Sequence, residues 1–310
     1  MSHDIVIPLL SNAIKAGTIL LLPTIGEIFS ERAGILNLGV EGMMLIGAFF
    51  GFIVAKLTNN PYYGIIAGMA AGGIASLIHA FVCITLKGNQ IVSGLALTIF
   101  GAGFTTFYGQ KWINMNLSNP LKGFAIPVLE KIPVIGPILF MQDLIVYLSY
   151  ILTIALWIIL YKTTIGLNLR AVGENAKAAN SMGISVSKTR YFWTFFGGLM
   201  AGAGGAYLTV AYAPFWLDSI TAGRGWIAVA LVIFAMWDPI KAVIGSYLFG
   251  SINALQFQLQ ASGTSIPSAI LNMLPYLVTF IVIVISSIIV KTKHIRPPKE
   301  LGIPYFREEK

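Results

Sequence analysis

The sequence carries little charge and almost no cysteine. Asp, Glu, Lys and Arg together make up 10% of its 310 residues, against about 25% in an ordinary soluble domain. So few charges cannot cover a water-facing surface. The single cysteine, Cys83, excludes a disulfide framework and the paired cysteines of a zinc site. The chain is therefore not expected to fold in water.

The common nucleotide-binding and hydrolase motifs are also missing. No G-x-x-x-x-G-K-[ST] run is present, which excludes a P-loop for ATP. The G-x-S-x-G and H-E-x-x-H motifs do not occur, and His3, His79 and His294 lie far apart. We therefore expect no catalytic residue, no metal site and no cofactor bound by this chain.

Long apolar stretches are abundant instead. Apolar residues make up 56% of the chain, and a helix of about 20 such residues crosses a bilayer. The predicted helices are Ile5–Phe29, Gly34–Ala55, Tyr62–Leu86, Ile91–Tyr108, Leu144–Tyr161, Tyr191–Tyr212, Trp226–Trp237, Ile240–Leu259 and Ile266–Val290. The pattern predicts an all-α integral membrane protein with about eight to ten transmembrane helices. Residues 1–310 are predicted to form one membrane domain. Within it, Trp226–Trp237 is too short to span alone, so it either crosses together with the preceding residues or is a re-entrant segment.

Positive charge collects in two segments, a central loop at about 162–190 and a tail at about 291–310. These contain Lys162, Arg170, Lys177, Lys188 and Arg190, then Lys291, Lys293, Arg296, Lys299, Arg307 and Lys310. The positive-inside rule places both segments in the cytoplasm and explains the net charge of +8 without nucleic acid. The proline-containing stretch 109–143 is predicted to be an extracytoplasmic loop with a short interfacial helix. The side of the N-terminus stays open.

Glycines recur at four-residue spacing in several of the predicted helices. Examples are Gly47 and Gly51, the series Gly64, Gly68 and Gly72, and the pair Gly198 and Gly202. Small residues at this spacing let helix backbones approach closely in lipid. We favour packing within the chain over a dedicated dimer motif.

The first polar stretch, at 26–42, lies between two apolar helices. Its residue Glu41 follows Arg32 by nine positions, roughly 13 Å along a helix. A carboxylate at such depth must be paired, protonated or facing a cavity. Asn37 stands four residues before Glu41, which on a helix is the same face. The pair is interpreted as lining a solute path or as a polar contact between helices, and both interpretations stay open.

Other polar side chains are candidates for the same path. Asn89, Gln90 and Ser93 lie at the start of an otherwise apolar helix, where they could bind hydroxyl groups or simply cap the helix. The ring of Trp226 could stack on a base or a sugar.

The second informative stretch lies in the central basic loop. Asn175 can cap a short helix over Ala176–Met182, and Gly183 can end it with a positive φ. The segment either lies passively at the interface or docks onto a cytoplasmic partner.

This stretch resembles the coupling segment of ABC importer permeases of the sugar, nucleoside and branched-chain amino acid group. Their pattern L-R-A-x-G-x-N-x-x-A-A-x-x-x-G-I stands here at Leu169 to Ile184. Ser30 to Met44 is similar to the nucleoside subgroup, which works with a lipoprotein binding protein, and Gly225 to Leu231 resembles a third family stretch. One departure is Met236-Trp237-Asp238-Pro239, where relatives often carry a small residue.

The resemblance implies a permease subunit in a bacterial cytoplasmic membrane. Its expected partners are a second permease chain, giving a heterodimer, cytoplasmic ATPase subunits that hold ATP and Mg²⁺, and an extracytoplasmic binding protein. The residues implied in ATPase coupling are Arg170, Gly173, Glu174, Asn175, Ala179 and Gly183. The expected solute is a nucleoside or a related small polar molecule. The alternatives are a ribose-type sugar permease, an ion-coupled carrier that uses Glu41, and a membrane scaffold.

Overall fold

The computed structural model describes residues 3–127, 129–262, 267–293 and 297–306, and these are overwhelmingly helical. The α-helices are α1 His3–Arg32, α2 Val40–Thr58, α3 Pro61–Ala80, α4 Gln90–Gly109, α5 Ile135–Leu139, α6 Leu144–Lys162, α7 Thr164–Glu174, α8 Ala176–Ser181, α9 Val186–Tyr207, α10 Arg224–Phe234, α11 Pro239–Ala261 and α12 Ser268–Lys293. Single π-turns continue α3 over Phe81–Thr85 and α9 over Leu208–Tyr212. Ile266, His294, Arg296, Arg307 and Lys310, all used in the sequence predictions, lie outside the described residues.

Among the described residues, six helical segments are long and apolar enough to cross a membrane. They are Val6–Arg32, Val40–Thr58, Pro61–Thr85, Gln90–Trp112, Leu144–Lys162 and Val186–Tyr212. Helices α11 and α12 have 23 and 26 residues, which also suffices to span. Helix α10 has only 11 residues. The all-α membrane fold is thus confirmed, with the second predicted helix starting at Val40 rather than Gly34.

The helix ends reveal the direction of the chain. Arg32, at the end of α1, donates to the carbonyl of Trp237 through Nη2 at 3.2 Å, and its own carbonyl lies against Gly173 of α7. We call this the basic end of the bundle, because it holds 163–185 and 297–306. At the opposite end, the amide of Gln142 donates to the hydroxyl of Ser11 at 3.0 Å, near the start of α1. The first helix therefore begins at the end opposite the basic loop, which the sequence left open.

Glycines form the centre of the bundle. A Cβ on Gly202 of α9 would overlap the carbonyl of Gly68 on α3, and one on Gly205 would overlap the carbonyl of Met44 on α2. A Cβ on Gly198 would likewise overlap the side chain of Ser76 and the carbonyl of Gly72. The four-residue glycine spacing therefore serves contacts within the chain, as predicted.

Two segments enter the bundle without being helical. After α1 the chain runs irregularly through 35–37 before α2 begins. After α9 it descends through 213–223, where the buried Trp216 packs against Phe49 and Phe52 at ring-centroid distances of 5.4 and 6.1 Å. Helix α10 then begins inside the bundle, where Gly225 lies against Glu41. Because α9 ends at the far end and Trp237, just after α10, contacts Arg32 at the basic end, the segment crosses the bundle together with the preceding residues and is not re-entrant.

The Met236–Pro239 turn ends this crossing segment at the basic end. Met236 and Trp237 both have positive φ, 53° and 56°. Glycine tolerates this conformation best, which gives a physical reason for the small residues expected in relatives. The indole of Trp237 donates to Glu31 at 2.5 Å, and Asp238 caps α11.

Candidate functional site

Glu41 caps the start of α10. Its Oε1 accepts from the hydroxyl of Thr221 at 2.5 Å and from the amide of Gly223 at 2.9 Å, and its Oε2 accepts from the amide of Gly225 at 2.6 Å. The carboxylate is buried, with 6% exposure. A negative charge at a helix N-terminus satisfies orphan N–H groups and complements the helix dipole. Of the two interpretations of Glu41, these contacts favour the polar helix contact.

The expectation that Asn37 shares a helical face with Glu41 is wrong. Asn37 lies in the irregular segment before α2, while Glu41 is in the first turn of that helix. Residues four positions apart share a face only on a helix, and the backbone at Asn37 is not helical. Asn37 is fully buried. Its side-chain oxygen accepts from the backbone amide of Gly39 at 3.0 Å, and its backbone amide donates to the carboxylate of Glu27.

Gln90 and His79 hold the same irregular segment from the opposite side. The side-chain oxygen of Gln90 accepts from the amide of Leu36 at 2.7 Å, and His79 Nε2 lies 3.2 Å from the Leu36 carbonyl. Gln90 is buried, with 2% exposure. Its contact is therefore with the backbone of this chain.

Asn89 and Ser93 lie at a different place. They border a cavity of about 520 Å³ between α3 and α4 whose other walls are almost entirely apolar. Asn89 is exposed and caps α4 by accepting from the amide of Val92 at 3.0 Å, whereas Ser93 lies 3.0 Å from His79 Nδ1. Trp226 is 37% exposed on α10. The structure thus does not gather the six predicted path residues into one site, and their role in a path stays a prediction.

The sequence analysis missed a polar cleft between α10, α11 and α12. This cavity of about 260 Å³ is bordered by Arg224, Asn253, Gln256, Phe257 and Tyr276, among others. Asn253 and Gln256 are spaced by three residues on α11, so they share a face of the helix. These two amides on one helix face, followed by Gln258 and Gln260, were the available signal.

The predicted short helix in the basic loop is confirmed as α8. The side chain of Asn175 accepts from the amide of Ala178 at 2.9 Å, and Gly183 has φ +84°. Lys177, Ala178 and Ser181 are exposed, and Met182 is 83% exposed. These four residues, together with the exposed Glu174 and Asn175, form what we call the outer face of α8.

Three of the predicted coupling residues make contacts within their own chain, and their role in coupling stays a prediction. Ala179 is buried against Val172 and Val186, so its side chain faces its own chain. Gly173 is buried because only a glycine fits against the carbonyl of Arg32. The guanidinium of Arg170 lies over the ring of Tyr161, 5.6 Å from its centroid. A helix with an exposed and a buried side cannot offer every residue of a motif to a partner.

A segment of the tail, 297–306, braces this loop. The carboxylate of Glu300 accepts from the amide of Ala176 at 3.2 Å, and the Glu300 amide donates to the carbonyl of Gly173 at 2.9 Å. Tyr305 packs on the cluster that contains Ala179. The buried Arg190 donates to the carbonyls of Ala33 and Ile303 and lies 3.7 Å from Glu300. The basic loop and the tail therefore lie at one end, as predicted.

Within the described residues, no group of three His, Cys, Asp or Glu side chains could hold a metal ion. The candidate sites are thus the polar cleft inside the bundle and the outer face of α8.

Comparisons with known proteins show the family of this chain. The family model described as "Branched-chain amino acid transport system / permease component" matches residues 9–287. A putative glucose ABC transporter permease of Haloferax volcanii is 40% identical over 97% of this chain and 98% of the relative. A guanosine ABC transporter permease of Bacillus subtilis is 36% identical over 93% of both chains, and a nucleoside ABC transporter permease of Lactococcus lactis is 37% identical over 89% and 90%. No solved structure matches the chain.

Proposed function

This chain belongs to the permease-component family of the branched-chain amino acid transport system, and from that premise we propose that it carries a nucleoside or a related sugar-containing solute through an ATP-driven importer. Proteins of this family are multi-pass subunits of the cytoplasmic membrane. They are transport subunits and not enzymes, and ATP hydrolysis occurs in a separate ATPase chain. ATP and Mg²⁺ would therefore bind to that partner.

The solute class is supported by the relatives. Permeases named for guanosine, for nucleosides and for glucose match this chain over nearly its full length. Guanosine, nucleosides and glucose all contain a sugar ring. The ring is therefore the shared chemical feature from which we propose the cargo.

The single observation that carries the importer mechanism is the capped helix α8. It lies between two long helices, α6 and α9, and is joined to α6 through α7. Force applied to its outer face is transmitted to both. In this proposal the ATPase subunit binds that face, and its ATP cycle shifts the permease between two states of different access.

A second permease chain, in a heterodimer, is part of the proposal. The glycine contacts use α2, α3 and α9 within the chain, whereas the segments Gln90–Trp112 and Leu144–Lys162 are only 22% and 28% buried. These two apolar surfaces are open to lipid or to a partner. A binding protein would deliver the solute at the end opposite the basic end.

The ion-coupled carrier is the weaker candidate. It would use Glu41 as the ion-binding carboxylate, but both oxygens of Glu41 already accept hydrogen bonds from 221–225. Uptake that follows an imposed proton or sodium gradient without ATP would support this alternative and contradict ours.

A large side chain on the outer face of α8 tests whether this face binds the ATPase subunit. Ala178→Trp places a large ring on an exposed position and should abolish both ATPase co-purification and uptake, because the ring separates the two surfaces. The protein should still insert in the membrane and keep its melting temperature. Ala178→Ser is the matched control and should behave as wild type. Normal ATPase binding and uptake by Ala178→Trp would show that this face is not the coupling surface.

A further inference from the structure

The polar cleft stands out among the cavities of the bundle. Three larger cavities, of about 340, 360 and 520 Å³, have walls that are almost wholly apolar. The polar cleft instead collects a guanidinium from Arg224, two side-chain amides from Asn253 and Gln256, and the phenol of Tyr276. The amides are buried, with exposures of 7% and 6%. Polar side chains at membrane depth are costly and mark solute pathways when they face a cavity.

The cleft lies in the half of the bundle away from the basic end. Helix α11 starts at Pro239, beside Trp237, whose indole bonds Glu31 at the basic end. Asn253, Gln256 and Phe257 are more than halfway along this helix, towards its far end. Arg224 is the first residue of α10, which begins inside the bundle. A solute arriving from the far end would meet this cleft before it reaches the basic end.

The hydrogen bonds of Asn253, Arg224 and Tyr276 are made to nearby backbone carbonyls. Asn253 donates to the carbonyl of Phe249 on its own helix at 3.1 Å. Arg224 donates through Nη1 to the carbonyls of Ile220 and Thr221, and Tyr276 donates to that of Ala222 at 2.7 Å. In each of these bonds the side chain of the cleft residue is the donor. They do not engage the acceptor oxygens of Asn253 and Tyr276 or the other guanidinium nitrogens of Arg224.

Building on the proposed function, we propose that this cleft binds the sugar ring of the transported solute. A hydroxyl group both donates and accepts, so a ring with several hydroxyls needs donors and acceptors side by side. Here Arg224 and Asn253 provide donors, and Asn253 and Tyr276 provide acceptors. The ring of Phe257, 44% exposed, can cover the apolar face of the sugar.

The volume of the cleft and the charges on its walls restrict the class of ligand that it can bind. Pockets for drug-sized ligands measure about 300–1,000 Å³, and a cleft of about 260 Å³ suits a single small ring. The described residues that border it include the cation Arg224 and no carboxylate, so an ammonium group of an amino acid would find no opposite charge among them. The sugar ring can come from a nucleoside or from a free sugar, which share this chemistry.

The test uses the complete complex in proteoliposomes, with the ATPase, the second permease and the binding protein of the same operon. ATP-driven uptake is measured for a purine nucleoside, D-ribose, D-glucose and L-leucine, at saturating loaded binding protein. Asn253→Leu and Phe257→Ala should each lower the uptake rate of the sugar-containing solute about tenfold, the factor of one lost hydrogen bond or ring contact. Solute-free ATPase activity and melting temperature should not change. Ser246→Ala, which removes a buried hydroxyl from the same helix outside the cleft, is the matched control.

Each outcome has a distinct meaning. Uptake of the nucleoside but not of the free sugars identifies the nucleoside as the source of the ring, and the reverse identifies a free sugar. Wild-type uptake rates in both cleft variants would show that the cleft is not the sugar site, although the importer function would stand. Preferred uptake of L-leucine would overturn the sugar assignment. Absence of ATP-driven uptake of every solute in the wild-type complex would overturn the proposed function itself, and the cleft assignment with it.

Discussion

The glycine core of the bundle and the braced loop at the basic end are held in place by different forces. In the core, backbones of α2, α3 and α9 touch, and a single added methyl group has no room. At the basic end, α8 is a helix of six residues that is fixed by side-chain caps and by a tail segment from 124 positions away. Core geometry is therefore set by shape. Loop geometry is set by a few polar bonds, which a partner could compete with or reinforce.

The largest loss of stability is expected from a substitution in the glycine core. Gly202→Ala should destabilise the protein by about 3 kcal/mol, because the new Cβ would overlap the backbone of Gly68. Gly103→Ala is the matched control, since nothing lies within 4 Å of a Cβ at that helical position. The measurement is thermal unfolding in detergent together with the yield of inserted protein. Equal stability of the two variants would mean that close backbone contact does not hold the core.

A second effect is expected where the core meets the start of α10. Glu41→Gln replaces an acceptor oxygen by a donor against the amides of 223–225, which should cost about 2 kcal/mol. Hydrogen exchange of the amides in 221–228 should become faster. Asp218→Asn, at an exposed carboxylate of the same loop, is the control and should leave this exchange unchanged. Unaltered protection in Glu41→Gln would show that α10 does not depend on this cap.

These residues show what the sequence could predict. Asn175 and Gly183 obey local capping rules, and the glycine spacing obeys a local packing rule, so the helix α8 and the close helix contacts were predictable. The partners of Glu41 lie 180 to 184 positions away, and Glu300 lies 124 positions from Ala176. No periodicity encodes such long-range pairs. For the same reason, the cleft between α10, α11 and α12 appeared only once the helices were packed.

At the basic end the expected effect is smaller and functional. Glu300→Ala removes a cap of α8 and should cost about 1 kcal/mol locally. The melting temperature of the bundle should hardly change, while transported solute per ATP hydrolysed should fall, because α8 loses its fixed orientation. Lys299→Ala, at the exposed neighbouring position, is the control. A lower melting temperature with unchanged coupling would indicate that the tail supports the bundle and not the loop.

The smallest effect should come from the turn before α11. Met236→Gly relieves a positive φ and should stabilise the protein by about 0.5–1 kcal/mol. Ala235→Gly, one residue earlier with φ −70°, should have the opposite sign because its backbone is already favourable for alanine. Chemical unfolding of both variants would check this. A loss of stability in Met236→Gly would mean that the methionine side chain contributes more than its backbone costs.

The brace formed by 297–306 also constrains the order in which the protein can be made. These residues follow every helix of the bundle in the chain, and they complete the support of α8 through Glu300 and Tyr305. A nascent chain that has inserted α9 but not α12 thus presents an unfinished surface at its basic end. The order of synthesis would therefore delay binding of the ATPase subunit until the last helix has entered the membrane. An incompletely inserted permease would then not bind the ATPase.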